Sequence, residues 1–373
     1  MSRRIQNPAY VLLVAFLAIT VFSGLLFNPL ISETDDGEYI TVVDALDRII
    51  TIKLPINRIV IGGKGDGLLV SVAYMFPKAA SSLYGLTTSV GSTNYLSSVD
   101  PDIGSKMTLV DRFSVEEIAK MNPSVVILKS YMKADLGDSL ENIGVSVVYI
   151  ELENLESYLR DIQILGKIFG DSDRADKIAA YYHDTYMELY NNTSSLDMRE
   201  RPKVLLIYYS LRGGSVSFLA PGYTWLQTSM IDVAGGYPLS SELAGSGWNT
   251  VSFEQIATWD PNIIFIVTYS SETTPSEVKD IIMHDPLWRG ISAVSHSRVY
   301  AFPDDCGNQG GMGSWESPGS RWILGLQYMA EKIGTTSIEI DIEDVTEAYF
   351  IDMYGLDPTQ ASDILGYISG DFT

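Results

Sequence analysis

The sequence predicts an α/β fold of two similar β-α-β lobes with mostly parallel sheets, joined by one long spine helix, with a ligand cleft between the lobes. Three observations lead there. The phrase serine, short helix, proline, apolar strand occurs twice: Ser114-Val-Glu116-Glu-Ile118-Ala119 to Pro123, and Ser252-Phe-Glu254-Gln-Ile256-Ala257 to Pro261. Its five shared positions stand at one constant offset of 138. Between the copies lies a stretch with helical periodicity, from Asn154 to about Tyr190. Two copies at so long a period make two lobes rather than a solenoid.

Each element has its own signal. Arg3 and Arg4 precede an apolar run from Val11 to Phe27, broken only by Thr20, Ser23 and Gly24. Such a basic start and apolar core read, over residues 1–32, as a signal peptide or an N-terminal membrane anchor. The charge rule keeps the arginines in the cytoplasm and puts the rest outside, secreted or at the cell surface. No cysteine follows the run, which excludes a lipid anchor there. The N-terminal lobe spans 38–152. It opens with alternation over Thr41–Pro55, the mark of a hairpin, and continues with a buried strand at Arg58–Ile61 ending in Gly62-Gly63. The Ser114 helix follows, with a serine cap and acids in its first turn. Apolar strands then lie at Ser124–Leu128 and Val145–Ile150.

Residues 153–192 form the spine. Leu155, Leu159, Ile162, Leu165, Ile168 and Phe169 recur at helical spacing, followed by Ile178, Tyr181, Tyr182, Met187 and Leu189. The pattern allows one helix, or two joined near Gly170-Asp171-Ser172. The C-terminal lobe spans 200–333, with strands at Lys203–Tyr208, Asn262–Val267 and Arg298–Phe302 around the Ser252 helix. Residues 334–373 are an acidic C-terminal extension with nine acids and no Lys or Arg, whose Val345, Tyr349, Phe350, Met353 and Tyr354 point to a helix packed on the second lobe. Overlapping sequons at Asn191 and Asn192 read as a surface turn.

Composition narrows the function. The 373 residues carry 25 Lys+Arg against 47 Asp+Glu, a net charge of −22. That balance excludes a nucleic-acid partner, which needs surplus positive charge. Without residues 1–32, which hold two arginines and no acid, the sum is 23 − 47 = −24. The single cysteine, Cys306, excludes an intramolecular disulfide, and the three histidines (His183, His284, His296) offer no metal-binding set. No resident metal or cofactor is expected. Nor is an enzyme: no GxSxG or HExxH occurs, and Cys306 has no histidine within several residues.

The chain resembles the substrate-binding proteins of ABC importers for ferric siderophores, haem and cobalamin, the class with a single helical spine between two lobes. The resemblance rests on Thr41-Val-Val-Asp44-Ala45-Leu-Asp47-Arg48, on Pro55-Ile-Asn-Arg58-Ile59-Val60, and on the Glu116…Pro123 and Glu254…Pro261 phrases. Trp225 to Gly235-Gly236 and Ser317-Pro318-Gly-Ser-Arg321 complete it. Together these span nearly all of 38–333. The extension beyond Gly334 and the missing lipid-anchor cysteine depart from the family. The resemblance implies that Glu116 and Glu254, one per lobe, dock onto arginines of an ABC permease dimer that works with its ATPase. As first-turn acids they also favour their helix dipoles, by about 0.3–1 kcal/mol each. It further implies capture of an iron chelate of the siderophore kind or a cobalamin-type ligand. The alternatives are an oxyanion such as molybdate or tungstate, or a membrane-tethered sensor or binding module not coupled to transport.

Ligands of open α/β sheets sit beyond the carboxyl ends of the strands. The loops there are Gly62–Gly67, Thr108–Phe113, Lys129–Lys133, Tyr209–Tyr223, Tyr269–Thr273 and Asp304–Glu316. They supply the candidate ligand-binding residues Lys64, Arg112, Lys129, Tyr131, Arg212, Tyr223, Trp225, Tyr269 and Trp315. Cations suit carboxylates or oxyanions, and aromatic faces cover apolar rings or chelates. Gly310-Gly311, with Met312, reads as a flap over the cleft. Gly62-Gly-Lys-Gly-Asp-Gly67 lacks the spacing of a phosphate-binding loop.

Overall fold

The computed structural model describes residues 37–87, 94–243, 245, 247–270, 272–306 and 313–372. The N-terminal apolar segment and the Gly310-Gly311 flap lie outside the described residues, and no helix among those described is long and apolar enough to cross a membrane.

In chain order the first lobe comprises β1 (Tyr39–Val43), β2 (Ile49–Lys53), β3 (Ile59–Ile61), α1 (Asp66–Ala73), α2 (Ala79–Ser82), β4 (Leu83–Thr87) and α3 (Asn94–Val99). It continues with β5 (Met107–Leu109), α4 (Val115–Lys120), β6 (Val125–Lys129), α5 (Asp138–Asn142) and β7 (Val147–Ile150). β1 and β2 are the antiparallel hairpin, and the other five strands form one parallel sheet in the order β5-β4-β3-β6-β7. Every residue of β3, β6 and β7 is buried. A sheet covered by helices on both faces demands such continuous apolar strands.

The spine segment contains two helices, α6 (Leu155–Phe169) and α7 (Ser172–Thr193). Gly170 ends α6 in the left-handed region at φ 63°, and the Asp171 carboxylate caps α7 by accepting from the Arg174 N–H. The helices run antiparallel. Tyr158 stacks on Tyr182 with centroids 4.5 Å apart, and Gln163 donates to Asp176 at 2.9 Å. Gly166 permits this approach, since a Cβ there would come within 2.5 Å of the Ala175 Cβ. The spanning element is therefore α7 alone, about 33 Å long at 1.5 Å per residue. Near its start Arg174 donates to the Met75 carbonyl of the first lobe, and at its end Thr193 donates to the Val233 carbonyl of the second. The sequons belong to the last turn of α7 rather than to a turn, and the Asn192 side chain is bonded to Thr336 and Ser337.

The second lobe comprises β8 (Lys203–Arg212), β9 (Ser215–Pro221), α8 (Leu226–Val233), β10 (Tyr237–Pro238), β11 (Trp248–Val251), α9 (Phe253–Trp259) and β12 (Ile263–Val267). α10 (Pro275–His284), α11 (Ser292–Ser295), β13 (Val299–Ala301) and α12 (Trp322–Ile333) follow. Its sheet runs β11-β9-β8-β12-β13, with β10 beside β8. β8, β10, β12 and β13 are parallel, whereas β9 runs antiparallel to both of its neighbours, β8 and β11. The segment Tyr209–Tyr223, read from sequence as a cleft loop, is thus the end of β8 and all of β9. Gly213 and Gly214, at φ 57° and 78°, close the two-residue turn that such a hairpin requires.

The repeat is physical. Ser114 and Ser252 each accept, at 3.2 Å, from the backbone N–H three residues on. Asn122 and Asp260, also 138 apart, end the two helices in the left-handed region at φ 45° and 46°. β6 and β12 begin and end at the same offset.

The extension forms α13 (Ile342–Tyr354) and α14 (Pro358–Leu365), capped by Asp341 and Asp357. It does not rest on the second lobe alone. Phe350 and Tyr354 of α13 pack on Tyr95 of α3, with centroids 5.5 and 5.2 Å away.

Candidate functional site

The first lobe presents a charged edge at the carboxyl ends of its strands. β3 leads into α1 through Gly62–Gly65, and Gly65 is left-handed at φ 84°. A Cβ at Gly65 would approach the Tyr131 hydroxyl to 2.6 Å and the Lys129 Cγ to 3.1 Å, so glycine lets this turn close against the end of β6. α1 begins with Asp66, which is buried. Thr87, at the end of β4, donates to its Oδ2, and Arg112, beyond β5, lies 3.1 Å from its Oδ1. Burial raises the Asp66 carboxyl above its ordinary pKa, while Thr87 and Arg112 oppose the rise.

Lys129 ends β6 and is only 1% exposed. Its Nζ lies 2.6 Å from Glu153 Oε1 and donates to the Glu151 carbonyl. A buried ammonium demands such partners. The loop supplying them is fixed by Asp161 of α6, whose Oδ2 accepts from the Glu151 and Leu152 N–H groups at 2.6 and 2.8 Å. Tyr131 donates to the Lys64 carbonyl at 3.1 Å, and Lys129 Nζ stands 5.9 Å from its ring. Loss of water around the phenol, with the nearby Glu153 and Asp66 carboxylates, pushes Tyr131 upward.

The second lobe presents an aromatic edge. Tyr208, which pairs within β8 with the last residue of β12, and Tyr269, two residues past β12, have centroids 4.5 Å apart. Trp248 lies 5.3 Å from Tyr208 and 5.9 Å from Tyr269, and Trp225, before α8, is 5.4 Å from Trp248. All four rings are half-buried. Beneath them Glu316 accepts from Tyr269 at 2.5 Å, from Ser317 at 3.2 Å and from Ser314. Burial raises the Glu316 carboxyl and these hydroxyl donors counteract it; burial and Glu316 together push the Tyr269 phenol up.

The segment carrying Glu316 crosses to the first lobe. Ser320 N–H donates to Ser71 Oγ of α1 at 3.2 Å, and Gly319 lies against Leu68, where a Cβ would stand 3.1 Å from Leu68 Cδ2. α1 is also the helix that Asp66 opens. Both edges lie where the strand order reverses, between β3 and β6 and between β8 and β12, which is where open α/β sheets take their ligands.

The sequence-predicted residues divide accordingly. Arg112, Lys129 and Tyr131 join the charged edge, and Trp225 and Tyr269 join the aromatic one. Lys64 contributes its carbonyl while its side chain points to solvent. Arg212 is exposed at the tip of the β8–β9 hairpin, and Tyr223 is 64% exposed. Trp315 departs from the expectation. It is wholly buried, donates to Asp305 at 3.1 Å and packs edge-on to Phe372, so its indole has no face to offer the cleft. Sequence reading missed Thr87, Tyr208, Trp248 and Glu153 as members of the edges. A usable signal existed for the aromatics, since Tyr208 closes the apolar run Lys203–Tyr208 in the sequence. Glu116 and Glu254 are both exposed in the first turns of α4 and α9. Among the described residues no group of three or more His, Cys, Asp or Glu is placed to hold a metal ion.

The family model described as periplasmic binding protein matches residues 93–306, more than half of the chain. The chain belongs to that family. Periplasmic binding proteins carry ligands for transport outside the cytoplasm and are not enzymes. No curated protein matches the chain. Among solved structures, a periplasmic solute-binding protein of Veillonella parvula is 24% identical over 88% of this chain and 97% of its own, with a TM-score of 0.70. The molybdate-binding protein MolA of Haemophilus influenzae is 17% identical over 85% and 98%, with a TM-score of 0.67. The TroA-like protein FepB of Veillonella parvula is 17% identical over 84% and 95%, also at 0.67. This periplasmic binding protein shares their two-lobe fold.

Proposed function

We propose that this periplasmic binding protein captures an anionic metal chelate with aromatic or apolar faces, of the ferric-siderophore type, and delivers it to an ABC permease. The observation that carries the reading is the pairing of the two edges. Arg112, with its side chain 39% exposed, offers a guanidinium fork to carboxylate or catecholate oxygens. The half-buried rings of Tyr208, Trp225, Trp248 and Tyr269 offer an apolar wall. A bare divalent cation finds no cluster of ligating side chains among the described residues.

Glu116 and Glu254 dock the two lobes on the permease. Their support is their exposure and their pseudo-symmetric placement, two residues past the capping serines. The oxyanion alternative draws on the likeness to MolA, which is bound to molybdate. It is poorly served by an aromatic wall, because a small, strongly hydrated oxyanion gains from N–H and O–H donors rather than from ring faces.

Native mass spectrometry of the purified protein with ferric catecholate and hydroxamate chelates, cobalamin, haem and molybdate tests the reading. A one-to-one complex with a ferric chelate is expected. Retention of molybdate alone, or of nothing at micromolar concentration, overturns it. Docking is tested separately. The Glu116→Ala, Glu254→Ala double variant should lose cellular uptake while keeping the chelate affinity, and normal uptake would refute the docking role.

A further inference from the structure

The residues beyond α12 make contacts that a simple tail has no reason to make. Toward the first lobe, Tyr354 donates to the Ser71 carbonyl of α1 at 2.9 Å and packs on Tyr95 of α3. Toward the spine, the Tyr349 and Tyr182 hydroxyls lie 2.9 Å apart and both donate to the Ser320 carbonyl. Arg174 of α7 donates to the Asp352 and Met353 carbonyls at 2.9 and 2.6 Å. Toward the second lobe, Asp371 pairs with Lys279 of α10 at 2.7 Å and accepts from the Ala301 N–H at 2.7 Å. Ser369 exchanges backbone hydrogen bonds with Asp304, and Phe372 packs on Trp315.

These anchors hold the described residues on either side of 307–312, namely 304–306 and 313–321. Asp304 is tied by Ser369, Trp315 by Phe372, and Ser320 by Tyr349 and Tyr354, the latter 2.5 Å from Ser320 Oγ. Within 313–321 stands Glu316, the carboxylate beneath the aromatic edge. The same segment touches α1 of the first lobe through Gly319 and Ser320. Most of the contacts are buried and made by rigid aromatic side chains, so the ordered state costs little rotamer entropy.

We propose that residues 341–372 are a strap across both lobes and the spine, which fixes the angle between the lobes and positions the Glu316 segment before ligand arrives. The bistable hinge used by many two-lobed binders is thereby restrained, and the cleft is preorganised rather than closed by its ligand. This inference does not depend on which ligand the cleft takes.

Two measurements without ligand test it, on chains spin-labelled at Lys120→Cys and Thr258→Cys, one exposed site per lobe, with the native Cys306 buried. One variant ends after Gly366, losing Ser369, Asp371 and Phe372 but keeping α13 and α14. A second, Tyr349→Phe with Tyr354→Phe, removes the hydroxyl bonds and keeps the apolar packing. Amide hydrogen exchange over 313–321 should accelerate at least tenfold in both, and the inter-label distance distribution should broaden, with unchanged far-ultraviolet circular dichroism. Native-like exchange and an unbroadened distribution in a folded variant overturn the strap. If the truncated chain fails to fold, the tyrosine pair decides by the same two readouts.

Discussion

Two residues past the end of β6 stands Tyr131, and two past the end of β12, at the same offset of 138, stands Tyr269. The lobes share this frame down to the caps and the left-handed residues before Pro123 and Pro261, yet they furnish it differently. In the first lobe two ion pairs stand at the strand ends, Arg112 with Asp66 and Lys129 with Glu153, each with one partner partly open to water. In the second lobe the cleft is aromatic, and the main charge pair, Arg321 with Asp305 at 2.7 Å, is withdrawn into the core. There Arg321 also donates to Tyr95 of the first lobe at 2.6 Å. One repeated scaffold thus carries half-exposed charge pairs at the strand ends of one lobe and aromatic rings at those of the other.

That contrast breaks if the two kinds of pair behave alike. Arg321→Met leaves Asp305 buried and unpaired and should cost about 3–5 kcal/mol of unfolding free energy. Arg112→Met should cost less, because its side chain is 39% exposed and Thr87 still donates to Asp66 after the change. Comparable losses in urea unfolding would show that the pairs do not differ in kind.

Acidity offers a second handle. Burial pushes the Asp305 carboxyl up to about 6, against the opposing charge of Arg321. Between the ordinary carboxylate range and about pH 6 the folded state therefore holds more protons than the unfolded one. The Asp305 share of stability falls as pH rises through that window and is flat above it. Melting temperatures of the Asp305→Asn variant should lack this slope; a slope equal to the native one would contradict the assignment.

The smallest effect sharpens the shared frame instead. Ser114→Ala and Ser252→Ala should each cost about 1 kcal/mol, in matching amounts, because each removes one equivalent cap. A large cost in one and none in the other would mean the repeat is conserved in sequence but not in energetics.

Much of this was legible in the sequence because it is local. Ser114, Glu116, Pro123 and their copies are a helix start and stop signal written twice, and the strands after them are continuous apolar runs. The edges were half legible: Arg112, Tyr131, Trp225 and Tyr269 were found by lying after strands. Their partners were not, since Asp66 meets Thr87 across 21 positions and Tyr208 meets Trp248 across 40. Trp315 was misplaced for the same reason. A loop tryptophan looks available until Phe372, 57 positions on, is seen to cover it. Likewise, nothing local in Tyr349 or Tyr354 announces that their hydroxyls reach Ser320 and Ser71.

If one ligand bridges the charged first lobe and the aromatic second lobe, both edges must contribute to its affinity. Calorimetric titration of the chelate retained in mass spectrometry, into the native protein, Arg112→Ala, Trp248→Ala and the double variant, tests it most directly. Each single variant should weaken binding by at least tenfold, with only the affinity lost through Arg112 depending on salt. Unchanged affinity in either single variant would contradict it.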